Sequence, residues 1–337
     1  MKRSGVHASG RAPLRRRDWI AQASGWCAAL AGASAFAADW PVRPVRVIVP
    51  FGPGGPADLS ARALGETLGP LLGQPVVVEN RPGGGSAVGV TAAAQARDAH
   101  TLLMGSNSMV INPLLNPALT YDVARDFDAV GMVSAQPLVL VVPATAPLRT
   151  LADLITEGRA RPGTLTAGNS GNATLAHLTA ELFGLQTRIA LTSVPYKGEA
   201  ALMPDLIAGR VACGFLNLPT LLPHLRAGRL RALAVSQAQP HPDLPGVPTL
   251  RALGYPELEV QGWAALLAPK GTIPSEGIER LEALLLRSLS GEPVLSRFAA
   301  LGVTPVANGR QMTAQFLQAE ATRWDTVIRA RGIKAEG

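Results

Sequence analysis

Between Val45 and Asp58 a β-branched apolar run gives way to a glycine-proline loop and then to a helical pattern. A strand that runs through such a loop into a helix leaves the first helical N–H groups unsatisfied at the positive end of the dipole, a setting for an anion such as a carboxylate. Gly54 and Gly55 carry no side chain, so a ligand can approach their backbone closely. Phe51 and Asp58 flank the loop, and Asp58 in the first turn also reads as a partner for its own helix end. Two more loops follow strand-like runs. Gly105–Asn112 offers Ser106, Asn107, Ser108 and Asn112, and Gly168–Thr174 offers Asn169, Ser170, Asn172 and Thr174. Their amides and hydroxyls donate and accept without charge. His177 stands on the helix after the third loop, and Tyr196-Lys197-Gly198 sets a phenol and an ammonium at a strand end. Single residues of these types also cap helices and build turns. The three loops together favour a binding site.

Other chemistries lack their residues. The Gly54-Gly55 and Gly83-Gly84-Gly85 stretches fit neither a dinucleotide fingerprint nor a phosphate loop. Ser170 lacks the elbow motif of a nucleophilic serine. His100, His177, His224 and His241 are scattered without metal-ligand spacing. No catalytic residues, metal or cofactor are expected.

The loops need strands and helices to hold them. Short β-branched runs alternate with helical patterns, which predicts α/β architecture with mostly parallel sheets flanked by helices. Strands are expected at Val45–Val49, Val76–Val78 and Thr101–Met104, with a helix over Ala57–Leu72 stopped by Gly73-Gln74-Pro75. Val130–Val133 and Leu138–Val142 read as two further strands. A second alternating block follows, with strands at Leu165–Ala167, Ser193–Tyr196, Val211–Phe215 and Ala232–Val235. Helices are expected over Thr174–Leu185 and Ala200–Ala208, and three more close the chain. Two similar blocks and a return segment predict two lobes, 38–141 plus 262–337 and 142–261. Crossings near Val141 and Gly262 would form a hinge, and the cleft between lobes would take the ligand.

Residues 1–37 read as an export signal: a basic n-region, an apolar core over Ile20–Ala33 and the cleavage site Ala35-Phe36-Ala37. Arg16-Arg17 leaves both the general secretory and the twin-arginine routes open. The segment holds six of the chain's 31 Lys+Arg and one of its 24 Asp+Glu. Cleavage after Ala37 would leave a nearly neutral periplasmic protein, with little to recommend nucleic acid as a partner. Only Cys213 would remain, excluding an internal disulfide.

Several strings together resemble a known family. They include Pro53-Gly54-Gly55 with Asp58, Gly73-Gln74-Pro75 through Glu79-Asn80-Arg81-Pro82-Gly83, and Val194-Pro195-Tyr196-Lys197-Gly198. Asn217-Leu218-Pro219 and Leu244-Pro245-Gly246-Val247-Pro248-Thr249 complete the set. The chain from Trp40 to Ile333 resembles the Bug-type periplasmic solute receptors, the substrate-binding proteins of tripartite tricarboxylate transporters. The resemblance implies a two-lobed Venus-flytrap receptor without a cofactor, and a monomer is expected. Such receptors grip a ligand carboxylate through backbone N–H groups and bridging water, here at Phe51–Asp58 and Gly168–Thr174, and the Asn217 string joins the candidate set. Membrane transporter subunits would be partners. The chain departs from the family pattern at Gly52, Pro56, Asn169–Ala176 and Leu216, the last where an Asp is common. An apolar Leu216 facing the ligand would favour a carboxylate without an amino group, such as a dicarboxylate or an aromatic acid. A sensing receptor that docks on a signalling partner shares this capture mechanism. An exported hydrolase would need a nucleophile–base pair that the sequence does not display.

Overall fold

The structure, a computed structural model, describes residues 40–333. The export signal and its cleavage after Ala37 lie outside the described residues. The first elements follow the sequence closely. Strand β1 (Val45–Val49) leads through the glycine-proline loop into helix α1 (Pro56–Leu72). Gly55 is the N-cap of α1 and Pro56 its first residue, where a missing N–H costs no hydrogen bond. Gly73 ends α1 in the left-handed region at φ 71°, and Gln74 N–H then donates to Gly69 O. Strand β2 (Val76–Asn80) and β3 (Thr101–Ser106) both pair parallel with β1. Helix α2 (Ala87–Ala94) passes so close to β1 that a Cβ on Gly89 would lie 2.7 Å from Pro50 Cα.

The ten strands form one continuous hydrogen-bonded array with a change of partners at its centre. Strand β4 (Phe127–Pro143) runs 17 residues where the sequence suggested two separate strands. Bulges at Ala129/Gly131 and Met132/Ser134 absorb the register, so the chain need not leave the sheet between the two apolar runs. From Phe127 to Pro137, β4 pairs antiparallel with β9 (Gln261–Pro269). From Leu138 onward it pairs antiparallel with β7 (Cys213–Asn217) and β8 (Leu230–Val235). The outer strands of this second half, β5 (Leu165–Asn169) and β6 (Leu191–Pro195), pair parallel with each other. The sheets are therefore mixed, parallel at the outer strands and antiparallel around β4 and β9.

Four helices, over Asn107–Leu115, Val123–Asp126, Leu151–Ala160 and Leu218–Arg226, have no counterpart in the sequence reading. Helix α3 (Asn107–Leu115) occupies what was expected to be the Gly105–Asn112 loop. Its side chains Met109, Val110 and Ile111 are buried, and that burial overrides Ser and Asn residues that suggest a loop when read locally. A short α4 (Val123–Asp126) precedes β4, and α5 (Leu151–Ala160) follows it. A capping box starts α5: Asp153 N–H donates to Thr150 Oγ1 at 3.1 Å, and Thr150 N–H donates to Asp153 Oδ2 at 2.9 Å. That pattern was legible in the sequence. Thr150→Ala should cost about 1 kcal/mol, measurable as a lower urea midpoint with unchanged m-value.

Helix α6 (Leu175–Thr187) follows β5, and α7 (Glu199–Ile207) follows β6. Helix α8 (Leu218–Arg226) follows β7. Phe183 of α6 meets Phe215 of β7 edge to face, ring centroids 5.4 Å apart, and locks helix to sheet. The chain closes with α9 (Ser275–Leu289), α10 (Glu292–Leu301), the two-residue β10 (Thr304–Pro305) and α11 (Arg310–Arg331).

Candidate ligand-binding site

Five helices begin around one cavity. The N-caps of α1, α3, α6, α7 and α8 are Gly55, Ser106, Thr174, Gly198 and Asn217, and all five line it. Only Thr174 satisfies its own helix with a side-chain cap, accepting from His177 N–H. The cavity is small, about 60 Å³. Helix starts concentrate unsatisfied N–H groups and partial positive charge, each stabilising an anion by about 0.3–1 kcal/mol. The helix-start logic of the sequence thus applies to two more helices, α7 and α8, than the three loops singled out.

The wall also carries polar side chains left without partners. Ser106 Oγ and Gln136 Oε1 are buried with no hydrogen bond, and both residues line the cavity. Native interiors rarely tolerate such atoms without water or ligand. Glu199 of the same wall is the most consequential side chain. It is 3% exposed, and its Oε1 accepts from Asn217 N–H at 3.0 Å and Asn217 Nδ2 at 2.7 Å. Burial pushes its carboxyl above the ordinary range, against the pull of Asn217 and of the Thr220 hydroxyl beside it. Gln136 Nε2 donates to Asn217 Oδ1 at 3.3 Å, so Gln136, Asn217 and Glu199 form one chain of contacts.

A second carboxylate braces the opposite wall. Glu320 of α11 accepts at Oε2 from Asn107 Nδ2, Trp263 Nε1 and Trp324 Nε1, at 3.3, 3.1 and 3.3 Å. Asn107 also accepts from Trp263 N–H at 3.1 Å. The last helix of the chain therefore fixes two cavity residues that lie far apart in sequence.

Of the residues singled out from sequence, Phe51, Gly55, Ser106, Asn107, Ser108, Ser170, Thr174 and Asn217 line the cavity. The others do not, and each has a structural occupation. Gly54 N–H donates to Asp58 Oδ2 at 2.9 Å, so it is already taken. Asp58 is buried and also receives Arg62 and Asn80, which ties the loop to α1 and β2. Gly168 lies beneath Leu202, whose Cδ1 would be 2.4 Å from an added Cβ. Asn169 donates to Ser193 Oγ and accepts from Gly171 N–H, each at 2.9 Å. His177 is buried and accepts at Nδ1 from Ala173 N–H, steadying a residue at φ 58°. Tyr196 donates its hydroxyl to Asp205 Oδ2 at 2.7 Å. Asn112 donates to Gly85 O at 2.7 Å, and with Asn172 and Tyr196 it borders a separate surface depression.

Leu216 also departs from expectation. It is fully buried among Val139, Val141, Leu202 and Leu206 and offers no surface to the cavity. Along β7 successive side chains face opposite ways, so Asn217 points to the site and Leu216 to the core. The residues that sequence reasoning missed are Gln136, Glu199, Gly262, Trp263 and the bracing Glu320. Glu199 had a local signal, a carboxylate directly after Gly198, but first-turn acids ordinarily serve their own helix.

Residues 60–333 match the tripartite tricarboxylate transporter family receptor. The chain belongs to that family. Protein BugT of Bordetella pertussis is 42% identical over 298 residues, spanning 88% of this chain and 91% of BugT. R. palustris Rpa4515, solved with adipate, superposes with a TM-score of 0.84 at 34% identity, covering 88% of this chain and 99% of the other. MatC from Rhodopseudomonas palustris with bound malate gives 0.81 at 30% identity, covering 86% and 100%. This tripartite tricarboxylate transporter receptor thus has the periplasmic binding protein fold and is a solute-binding protein, not an enzyme. Among the described residues no cluster of metal-ligating side chains occurs, and no helix is long and apolar enough to cross a membrane.

Proposed function

We propose that this receptor captures a small carboxylate in the cavity at the five helix starts and delivers it to a tripartite transporter. The convergence of five N-caps on one cavity carries the reading, because it concentrates backbone donors and positive potential with no Lys or Arg in the wall. Relatives solved with adipate and malate support the same ligand class. The mature chain begins at Ala38 and works in the periplasm. A thermal-shift panel of mono- and dicarboxylates tests the reading, since a ligand of the native state raises the melting temperature. No shift with any carboxylate would defeat it.

Gly55 supplies a backbone donor at the start of α1, and its extended conformation (φ −83°, ψ 170°) accepts a β-branched residue. Gly55→Val should place bulk at the cavity wall and weaken the ligand by at least about 1.4 kcal/mol, a factor of ten. Calorimetry with the best carboxylate of the panel gives the number, and an unchanged affinity would remove this loop from the site.

The chain passes between the two sheet halves at Gln136–Leu138 of β4 and again before Gln261 of β9. We read these passages as a hinge between two lobes that close on the ligand. Small-angle scattering should show a smaller radius of gyration at saturating ligand. The same radius with confirmed binding would mean a rigid cleft.

A further inference from the structure

A row of glycines joins the two halves of the chain beside the cavity. Gly52 and Gly85 precede β4, whereas Gly171 and Gly198 lie between the passages at Leu138 and Gln261. A Cβ on Gly52 would sit 3.2 Å from Lys197 O, and one on Gly198 would sit 3.7 Å from Gly52 N. A Cβ on Gly171 would sit 3.2 Å from Gly85 Cα, and one on Gly85 would overlap Asn172 O. Backbone therefore meets backbone across a seam, and at Gly85 only a residue without a side chain fits. Phe51 and Ser170 line both the cavity and the outer depression that carries Gly85 and Gly171, so the seam stands between cavity and solvent. Both of its edges are pinned. Asn112 Nδ2 donates to Gly85 O at 2.7 Å. On the other side Gly171 N–H donates to Asn169 Oδ1 at 2.9 Å, and Thr174 Oγ1 donates to Gly171 O at 2.7 Å.

We propose that this glycine seam is the latch of the closed receptor, with the loop at 83–86 seated on Gly171 and Asn172 to seal the ligand in. A contact between bare backbones orders no side chain, so it forms and parts at little entropic cost. Gly85, Gly171 and Asn172 lie outside the cavity wall, so the latch adds no contact to the ligand. It holds the closed form, and that governs the rate of escape far more than the rate of encounter. Asn112 and Asn169, singled out from the sequence as ligand contacts, act instead by fixing the two edges that must meet. The inference rests on the reading of β4 and β9 as a hinge and names the contact at which the motion ends.

Gly85→Ala and Gly85→Asn drive a wedge into the seam, and Asn enters the left-handed region more readily than Ala. Gly84→Ala is the control. It carries the same left-handed backbone cost, at φ 57° against 58°, but its Cβ meets only Ala87 Cβ of its own loop, at 3.4 Å. Adipate and malate serve as probes in stopped-flow kinetics read by tryptophan fluorescence, Trp263 being in the cavity wall. Both Gly85 variants should release the probe about tenfold faster or more, with association within about twofold of wild type. Gly84→Ala should keep both rates within about twofold. Hydrogen exchange on the wild-type protein needs no variant: bound probe should slow exchange at 83–86, none of which lines the cavity. Thermal unfolding without ligand checks that the variants fold, and if the Gly85 variants do not, the exchange result decides. Unchanged release by folded Gly85 variants, equal acceleration by Gly84→Ala, or no protection at 83–86 would overturn the latch and leave carboxylate capture standing. Wild-type protein that binds neither probe nor any other carboxylate of the panel would overturn capture and latch together.

Discussion

Asp58→Ala is expected to lower the unfolding free energy by roughly 3 kcal/mol while leaving the fold intact. Asp58 is 2% exposed and accepts from Gly54 N–H, Asn80 Nδ2 and Arg62, all within 3.0 Å. Removing it leaves a buried amide donor and a loop N–H unsatisfied, each costing about 1–3 kcal/mol. Arg62 adds little to the loss, because its side chain is 49% exposed and rehydrates. The effect depends on pH. Burial tends to raise the Asp58 carboxyl, but hydrogen bonds from Arg62, Gly54 N–H and Asn80, with the Arg62 charge, hold it below the ordinary value. Its stabilisation is therefore fully present above the unfolded aspartate value of about 3.9 and is lost as pH falls through the lower folded value. Urea unfolding of both proteins at neutral and acid pH checks this. The gap between them should narrow below about pH 4, and a constant gap would show that ionised Asp58 does not carry the stability.

Gly262→Ala should affect ligand binding most. A Cβ at this position would lie 2.2 Å from Asn217 Oδ1 and 3.0 Å from Gln136 Nε2. Gly262 sits opposite Gln136 in the β4–β9 ladder, so backbone pairing keeps it from moving away. Asn217 must turn aside, breaking its contacts with Glu199 and Gln136. A hydrogen bond to a charged group contributes about 1.5–3 kcal/mol, so an affinity loss of roughly 100-fold follows, about 2.7 kcal/mol. Calorimetry with a ligand of the wild-type receptor measures it, and circular dichroism confirms the fold. An affinity within threefold of wild type would mean that the Asn217–Glu199–Gln136 wall does not touch the ligand.

The two substitutions separate residues that the sequence presents as equivalent. Asp58 and Glu199 each stand in the first turn of a helix that follows a glycine. Locally both read as partners for a helix dipole. Asp58 fills that role through Gly54, Arg62 and Asn80, whereas Glu199 turns from its own helix to hold Asn217 in the cavity wall. The difference lies in the neighbours that distant segments bring, Asn80 in one case and Asn217 with Gln136 in the other.

What the sequence determined by itself is local. Apolar alternation placed β1, β3, β5 and β8, and the 3.6-residue stripe with Gly73-Gln74-Pro75 placed α1, because burial periodicity and backbone stops act over a few residues. The glycine-proline junction marked a helix start open to an anion, and the strings around it were specific enough to carry the family. Tertiary structure decided the rest. It joined two apolar runs into β4 and folded Asn107–Leu115 as a helix on a buried face. It also turned Leu216 to the core and Asn217 to the cavity. Above all it gathered Ser106, Gln136, Glu199 and Trp263 around the same space from four segments, with Glu320 bracing two walls from the last helix. A carboxylate buried without a counter-charge is costly, and its neighbours come from strands and helices remote in the chain, so no local pattern could announce it.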